Sequence, residues 1–199
     1  MSKPLVQWSA EEARQLLTDS PWAKPTAIGI LPQRSEAQMR EGGRMGVGGK
    51  QAGFGPLDES LITSTGKRKT LQVRWESAMP VRAAEMKAGE IGAPDWEGDF
   101  YAIAVYDVPG IPAGSQKSLT AELKHTTFLR SAGQKDLKPA RVEITVFETK
   151  VARIVFLFPR IPELSSLAAP VEFVTQIGRI RLAQSFRTSE MQYQGKVEL

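Results

Sequence analysis

The stretch Val171-Glu-Phe-Val-Thr-Gln-Ile-Gly178-Arg-Ile180-Arg-Leu-Ala-Gln-Ser-Phe186 decides the fold class. Val171, Phe173 and Ile177 hold one parity, and Ile180, Leu182 and Phe186 hold the other. Apolar residues at every second position put one face of an extended strand on a core and the other in water. The parity switches at Gly178-Arg179. A two-residue hairpin loop there would set Ile177 opposite Ile180 and Val171 opposite Phe186, all on one face, and a leading glycine suits a type II′ turn. A bulge at Gly178 within one bent strand would flip the parity as well.

The same period runs through the rest of the last third. Val142, Ile144 and Val146 alternate with Arg141, Glu143 and Thr145, while Met191, Tyr193, Val197 and Leu199 alternate with polar neighbours. Val151 to Phe158 reads as a buried strand ended by Pro159. Further upstream, Leu71, Val73, Trp75, Met79 and Val81 share one parity, which predicts a single long strand across them. Phe100 to Val105 is apolar on both parities, as a central strand covered on both faces would be. Ser9 and Glu12 form a capping box for a helix over Ala10 to Thr18, with Trp8 placed to staple onto Ala13. A short strand is expected at Thr26 to Leu31, and Leu119, Leu123 and Phe128 or Leu129 suggest a second helix over Ser118 to Arg130. The class that results is α+β, mainly β: an antiparallel, sandwich-like domain with one or two peripheral helices.

The 199 residues make one domain, residues 1–199, large enough to bury about 70% of the unfolded chain's surface without a staple. Seven of the fourteen residues from Gly42 to Gly55 are glycine. The ordering entropy of that stretch has little apolar burial to offset it, so a flexible glycine-rich insertion is expected at about 33–66. There is no cysteine, which removes disulfides, thiolate zinc sites and cysteine nucleophiles. The net charge is +4, with both signs interspersed. The local excess at Lys67, Arg68, Lys69 and Arg74 reads as a solvated strand entrance, and nucleic acid is disfavoured as a partner. No window approaches the ~18 apolar residues of a membrane span. Met1 to Pro4 carries no apolar leader. The protein is periplasmic or secreted if a signal peptide has been removed, and otherwise cytoplasmic.

Motif by motif, catalytic signatures fail on spacing. In Gly43 to Gln51, Lys50 arrives one residue late for a phosphate loop and Gln51 replaces the required Ser or Thr. Ser64-Thr-Gly-Lys67 has the Ser-x-x-Lys spacing, but on a turn and without its partner motifs. His125, the one histidine, sits on a helix between Lys124 and Thr126, where a solvated side chain is the simpler reading. Asp95, Glu97 and Asp99 are spaced two apart in an expected loop with Gly98, a possible oxygen set for calcium as the one candidate cofactor. Trp96 in that loop and Tyr101 beside it are the candidate ligand-stacking aromatics, whereas the parity of Trp75 assigns it to the core. These failures lean away from an enzyme. They leave protein or carbohydrate as the partner class and the oligomeric state open.

Five stretches carry a resemblance: Ser20-Pro-Trp-Ala-Lys24, Val73-Arg-Trp-Glu-Ser-Ala78, Phe156-Leu-Phe-Pro-Arg160, Val171 to Gly178, and Met191-Gln-Tyr-Gln-Gly-Lys-Val-Glu-Leu199. In these the chain resembles an uncharacterised family from acidobacterial genomes whose members often carry a glycine-rich insertion and commonly look exported. The resemblance implies a binding or structural module of the cell envelope or periplasm, a protein of unknown function without assigned catalytic residues. Two other readings stand beside it: a carbohydrate- or calcium-dependent binding domain, and an enzyme of unrecognised type.

Overall fold

The computed structural model describes residues 4, 7–31, 69–90, 100–109, 116–147, 150–161, 164 and 170–199. Among them the elements run α1 (Ala10–Thr18), β1 (Ala23–Ile30), β2 (Thr70–Trp75), α2 (Met79–Ala88), β3 (Phe100–Tyr106), α3 (Gln116–Thr126), β4 (Phe128–Ser131), β5 (Arg141–Phe147), β6 (Lys150–Pro159), β7 (Val171–Ile177), β8 (Ile180–Phe186), a 3-10 turn (Thr188–Glu190), β9 (Gln192–Tyr193) and β10 (Lys196–Val197). The class is α+β and mainly β, as the alternation implies. Eight strands form one antiparallel sheet in the order β4-β7-β8-β1-β2-β3-β6-β5, and β9 and β10 pair apart from it.

The sheet curls, and β1 is where it turns. Ala23 to Ala27 pair with β2, but Ile28 to Ile30 pair with β8. A strand that changes partner part-way along its length makes a corner. Across that corner the two halves face each other: the ring of Phe156 on β6 lies 5.3 Å from that of Phe173 on β7, and Trp75 on β2 lies 5.3 Å from Phe186 on β8, all edge-on. Such rings each bury a large apolar area and prefer this edge-to-face geometry. Strands far apart in sheet order therefore share one core, while their hydrogen bonds form a single continuous sheet where a sandwich has two. Helix α3 packs on both β5 and β7, bridging the two ends of the curl.

Gly178-Arg179 is a hairpin loop. Ile177 pairs with Ile180 and Val171 with Phe186, and the φ of +57° at Gly178 is the left-handed backbone that the first position of a type II′ turn needs. The capping box of α1 forms in full, with Ser9 Oγ accepting from the Glu12 amide at 3.1 Å and Glu12 Oε2 accepting from the Ser9 amide at 2.7 Å. Trp8 is buried with its ring edge-on to Tyr193 at 6.2 Å. β3 lies between β2 and β6 and is buried on both faces.

Two expectations need correcting. The long strand through Val81 ends at Trp75, and α2 begins at Met79. Pro80 presets the helical φ in the first turn, Ala83 to Ala88 are strong helix formers, and Gly89 closes the helix at φ +73°. Met79 and Val81 share strand parity with Trp75 only by coincidence. The second helix stops at Thr126, and Phe128 to Ser131 form the edge strand β4 beside β7. The glycine-rich insertion lies outside the described residues.

Candidate functional site

On β2, β3 and β6 the residues that do not face the core form their own pattern. Register puts Arg74 beside Ala104 and Ala104 beside Val155, with Tyr106 beside Arg153. Glu76 follows β2 directly, its amide donating to the Ala102 carbonyl at 2.7 Å. Ala102 and Ala104 present only methyl groups on this face, and the long polar side chains stand around them. Helix α2, which packs on α1, adds Glu85 from above, and Glu90 follows its end.

These side chains form a closed ionic cluster. The Tyr106 hydroxyl donates to Glu76 Oε1 and lies 3.4 Å from Glu85 Oε1. Arg74 Nη1 is 2.6 Å from Glu90 Oε2 and 3.9 Å from Glu85 Oε1. Its Nε donates to the Leu17 carbonyl at 2.9 Å, and its guanidinium sits 4.5 Å from the centroid of the Tyr106 ring. Arg153 Nη1 reaches Glu76 Oε2 at 3.7 Å. That is an ion pair too long for a hydrogen bond, and Glu76 Oε2 has no hydrogen-bond partner among the described residues.

Burial sets the electrostatics. The Glu76 and Glu85 side chains are 0% and 1% exposed. Desolvation, reinforced by the charge of Glu85, pushes the Glu76 carboxyl up to about 7, against the pull of Tyr106, Arg153 and Arg74. Burial and the neighbouring Glu76 likewise hold the Tyr106 phenol well above its ordinary range. Burial works against the charge of Arg74, but its hydrogen bond to Glu90 and the charges of Tyr106, Glu90 and Glu85 keep it firmly protonated.

The expected site residues fall elsewhere. Tyr101 is 3% exposed, its ring 5.8 Å from Trp75 and its hydroxyl donating to the Ile161 carbonyl at 2.9 Å, so it packs the core. Asp95, Trp96, Glu97 and Asp99 lie outside the described residues, as do Lys67 and Arg68. Among the described residues, no group of three or more His, Asp or Glu could hold a metal ion. His125 is exposed on α3, and Trp75 is buried in the core. Arg74, read as part of a solvated entrance, is instead buried in the ionic cluster, because α1 and α2 cover this side of β2. The cluster itself was missed, since Glu76 and Glu85 meet only once α2 folds back over β2. A cue exists at Glu76, a charge directly after an apolar strand and four residues before Pro80.

An open concavity is lined by a different set of residues. Pro21, Lys24, Ser185, Phe186, Arg187 and Glu190 line a cleft of about 300 Å³ where β1 begins and β8 ends. Lys24 pairs with Asp19 at 2.7 Å and Arg187 with Glu190 at 2.9 Å on its rim. No helix among the described residues is long and apolar enough to cross a membrane. No protein-family model, curated protein or solved structure matches this chain.

Proposed function

We propose that this chain is a non-enzymatic binding or structural module of the cell envelope. The observation that carries the reading is the closure of the ionic cluster. Glu76 and Glu85 have the residue types of an acid–base pair, yet both are buried and their contacts include Tyr106, Arg74 and Arg153. A general acid or base has to come within hydrogen-bond reach of its substrate, and this arrangement pins a helix to a sheet. The polar cleft between Lys24 and Arg187 is open, and its volume is at the small end of ligand sites. The resemblance to apparently exported proteins supplies the envelope.

The test is a thermal-shift panel of the intact chain with oligosaccharides, calcium, nucleotides and heparin, run on the wild type, Lys24→Ala/Arg187→Ala and Glu76→Gln. A ligand of the folded state at ~100 times its Kd adds about 2.7 kcal/mol, which moves the midpoint by several degrees. The binding reading expects one ligand class to shift the wild type and Glu76→Gln alike. A response that disappears in folded Glu76→Gln would give the cluster an active role and overturn the proposal. A flat panel leaves the structural arm, which then requires a protein partner to be recovered by crosslinking in envelope fractions.

A further inference from the structure

We propose that the cleft where β1 begins and β8 ends binds the oxyanion group of a small polar molecule, a carboxylate or a phosphate, which rests on the reading of the chain as a binding module and gives that module a ligand class. The cleft follows from the change of partner along β1. β1 and β8 pair from Ile30–Ile180 to Ile28–Leu182, and before Ile28 the backbone of β1 turns to β2, with Lys24 beside Val73. β8 runs on to Phe186 along β7. Had the β1–β8 ladder continued, Thr26 would stand opposite Gln184 and Lys24 opposite Phe186. The Thr26 hydroxyl still crosses the gap, donating to Gln184 Oε1 at 2.8 Å. One step further out, Lys24 and Phe186 line the open cleft of about 300 Å³ instead.

The lining selects for anions. Lys24, Arg187 and Glu190 carry its charges, two positive and one negative, and Asp19, which pairs with Lys24, lies outside the lining. Lys24 Nζ donates to Asp19 Oδ1 at 2.7 Å, and Arg187 Nη1 donates to Glu190 Oε1 at 2.9 Å. Among the described residues, the side-chain contacts of both cations stop there. An ammonium has three donors and a guanidinium five, so each keeps donors for a ligand, and Ser185 adds a hydroxyl. Every member of the two ion pairs is more than a third exposed, so water screens them and they hold weakly against a competing anion. The planar fork of Arg187 suits an oxyanion held two-pronged. The backbone beneath is fixed, because Arg187 sits between the buried Phe186 and Thr188, and Lys24 follows the buried Trp22 and Ala23. A site in place before its ligand arrives loses less to ordering. Pro21 and Phe186 make part of the wall apolar, which suits a carbon frame behind the charged end.

The experiment is a titration of the intact, isotope-labelled protein in low-salt buffer, following the backbone amides by NMR. The probes are glucuronate, acetate, inorganic phosphate and neutral glucose. Glucuronate and phosphate should shift the amides of Lys24, Ser185 and Arg187 saturably, and glucose should not. Lys24→Ala and Arg187→Ala should each weaken that binding by about tenfold or more, the loss of one charge-assisted hydrogen bond. Lys117→Ala, which removes the same charge from the exposed side of α3, should leave it within about twofold. Glucuronate binding more tightly than acetate and phosphate would support the site and make its ligand a sugar acid; phosphate binding most tightly would support it and make the ligand a phosphate ester. Glucose shifting the same amides as strongly as glucuronate would overturn the oxyanion assignment and leave a binding module in place. Silence from all three anions, or binding that survives both substitutions in the cleft, would overturn it too, and the wider thermal-shift panel would still decide the binding reading by itself.

Discussion

The two faces of β2, β3 and β6 are built from alternate residues of the same strands, yet only one of them adds buried charges to its apolar packing. One face carries Trp75, Tyr101, Ile103, Phe156 and Phe158, all buried in the main core. The other carries a small apolar cluster, Ala102, Ala104, Val155 and Leu157, together with Arg74, Glu76, Tyr106 and Arg153. The apolar face needs only shape and size, and its energy is roughly additive in buried area. The charged face has to satisfy every group it seals, because an unpaired buried charge costs more than its pair returns. The first face tolerates drift in sequence, and the second depends on a particular set of partners.

Truncation should separate the two faces. Phe156→Ala removes a fully buried ring that meets Phe173, and a cost of about 3–5 kcal/mol is expected from lost transfer energy plus the cavity. Urea unfolding should show a lower midpoint with an unchanged slope. Arg74→Met should cost about 3 kcal/mol or more for a different reason: it takes the guanidinium away from Glu85 and Glu90 and leaves the Leu17 carbonyl with Gln72 in place of two side-chain donors. Arg74→Lys should rescue little, since an ammonium cannot span Leu17, Glu90 and the Tyr106 ring together. A full rescue by lysine would mean that charge alone is being read.

The pH response sharpens the contrast, because the apolar face has none. A carboxyl moved from 4.5 to about 7 penalises the folded state by about 3 kcal/mol once pH has passed through that window. The sign is that of a raised group: the stability is fully present below the unfolded value and is lost as pH rises through the folded one. Phe156→Ala should therefore lower the whole profile in parallel, while Glu76→Gln should flatten it and end above the wild type at alkaline pH. Hydrogen exchange at the α2 amides, compared between wild type and Glu76→Gln at one alkaline pH, should be faster in the wild type.

How much of each face was legible follows from the same contrast. Alternation in Val171 to Phe186 fixes register because a one-residue slip would turn the apolar set outward, and the observed pairs Val171–Phe186 and Ile177–Ile180 follow it. Phe100 to Val105 reads as central because it is apolar on both parities, and the strand Phe100–Tyr106 lies between β2 and β6. Parity misleads at Met79 and Val81, where a helix started by Pro80 takes over. Tyr101 reads as part of a possible aromatic platform with Trp22, Trp75 and Trp96; its burial and its ring contact with Trp75 place it in the core. The charged face leaves a single local cue, at Glu76, since Glu76, Glu85 and Arg153 come from separate parts of the chain. Their meeting depends on α2 folding back, an event with no local periodicity.

The smallest expected effect comes from the exposed counterpart of the buried cluster. At the sheet edge, Arg130 forms a two-pronged pair with Asp136, Nε to Oδ1 at 3.1 Å and Nη2 to Oδ2 at 2.9 Å, with both side chains well exposed. Both contacts are closer than the 3.7 Å at which Arg153 meets Glu76, and the hydrogen bond from Arg130 holds the Asp136 carboxyl below its ordinary range. Water screens the pair, so Asp136→Asn should cost only about 0.2–1 kcal/mol. The sign is opposite to that of Glu76: a depressed carboxyl stabilises above its unfolded value, and the contribution is lost as pH falls toward the folded one. Asp136→Asn should thus blunt only the acid limb of the profile, and high salt should erase the difference. If it matched Arg74→Met in size, burial would not be what makes the inner cluster costly to break, and the contrast between the two faces would lose its physical basis.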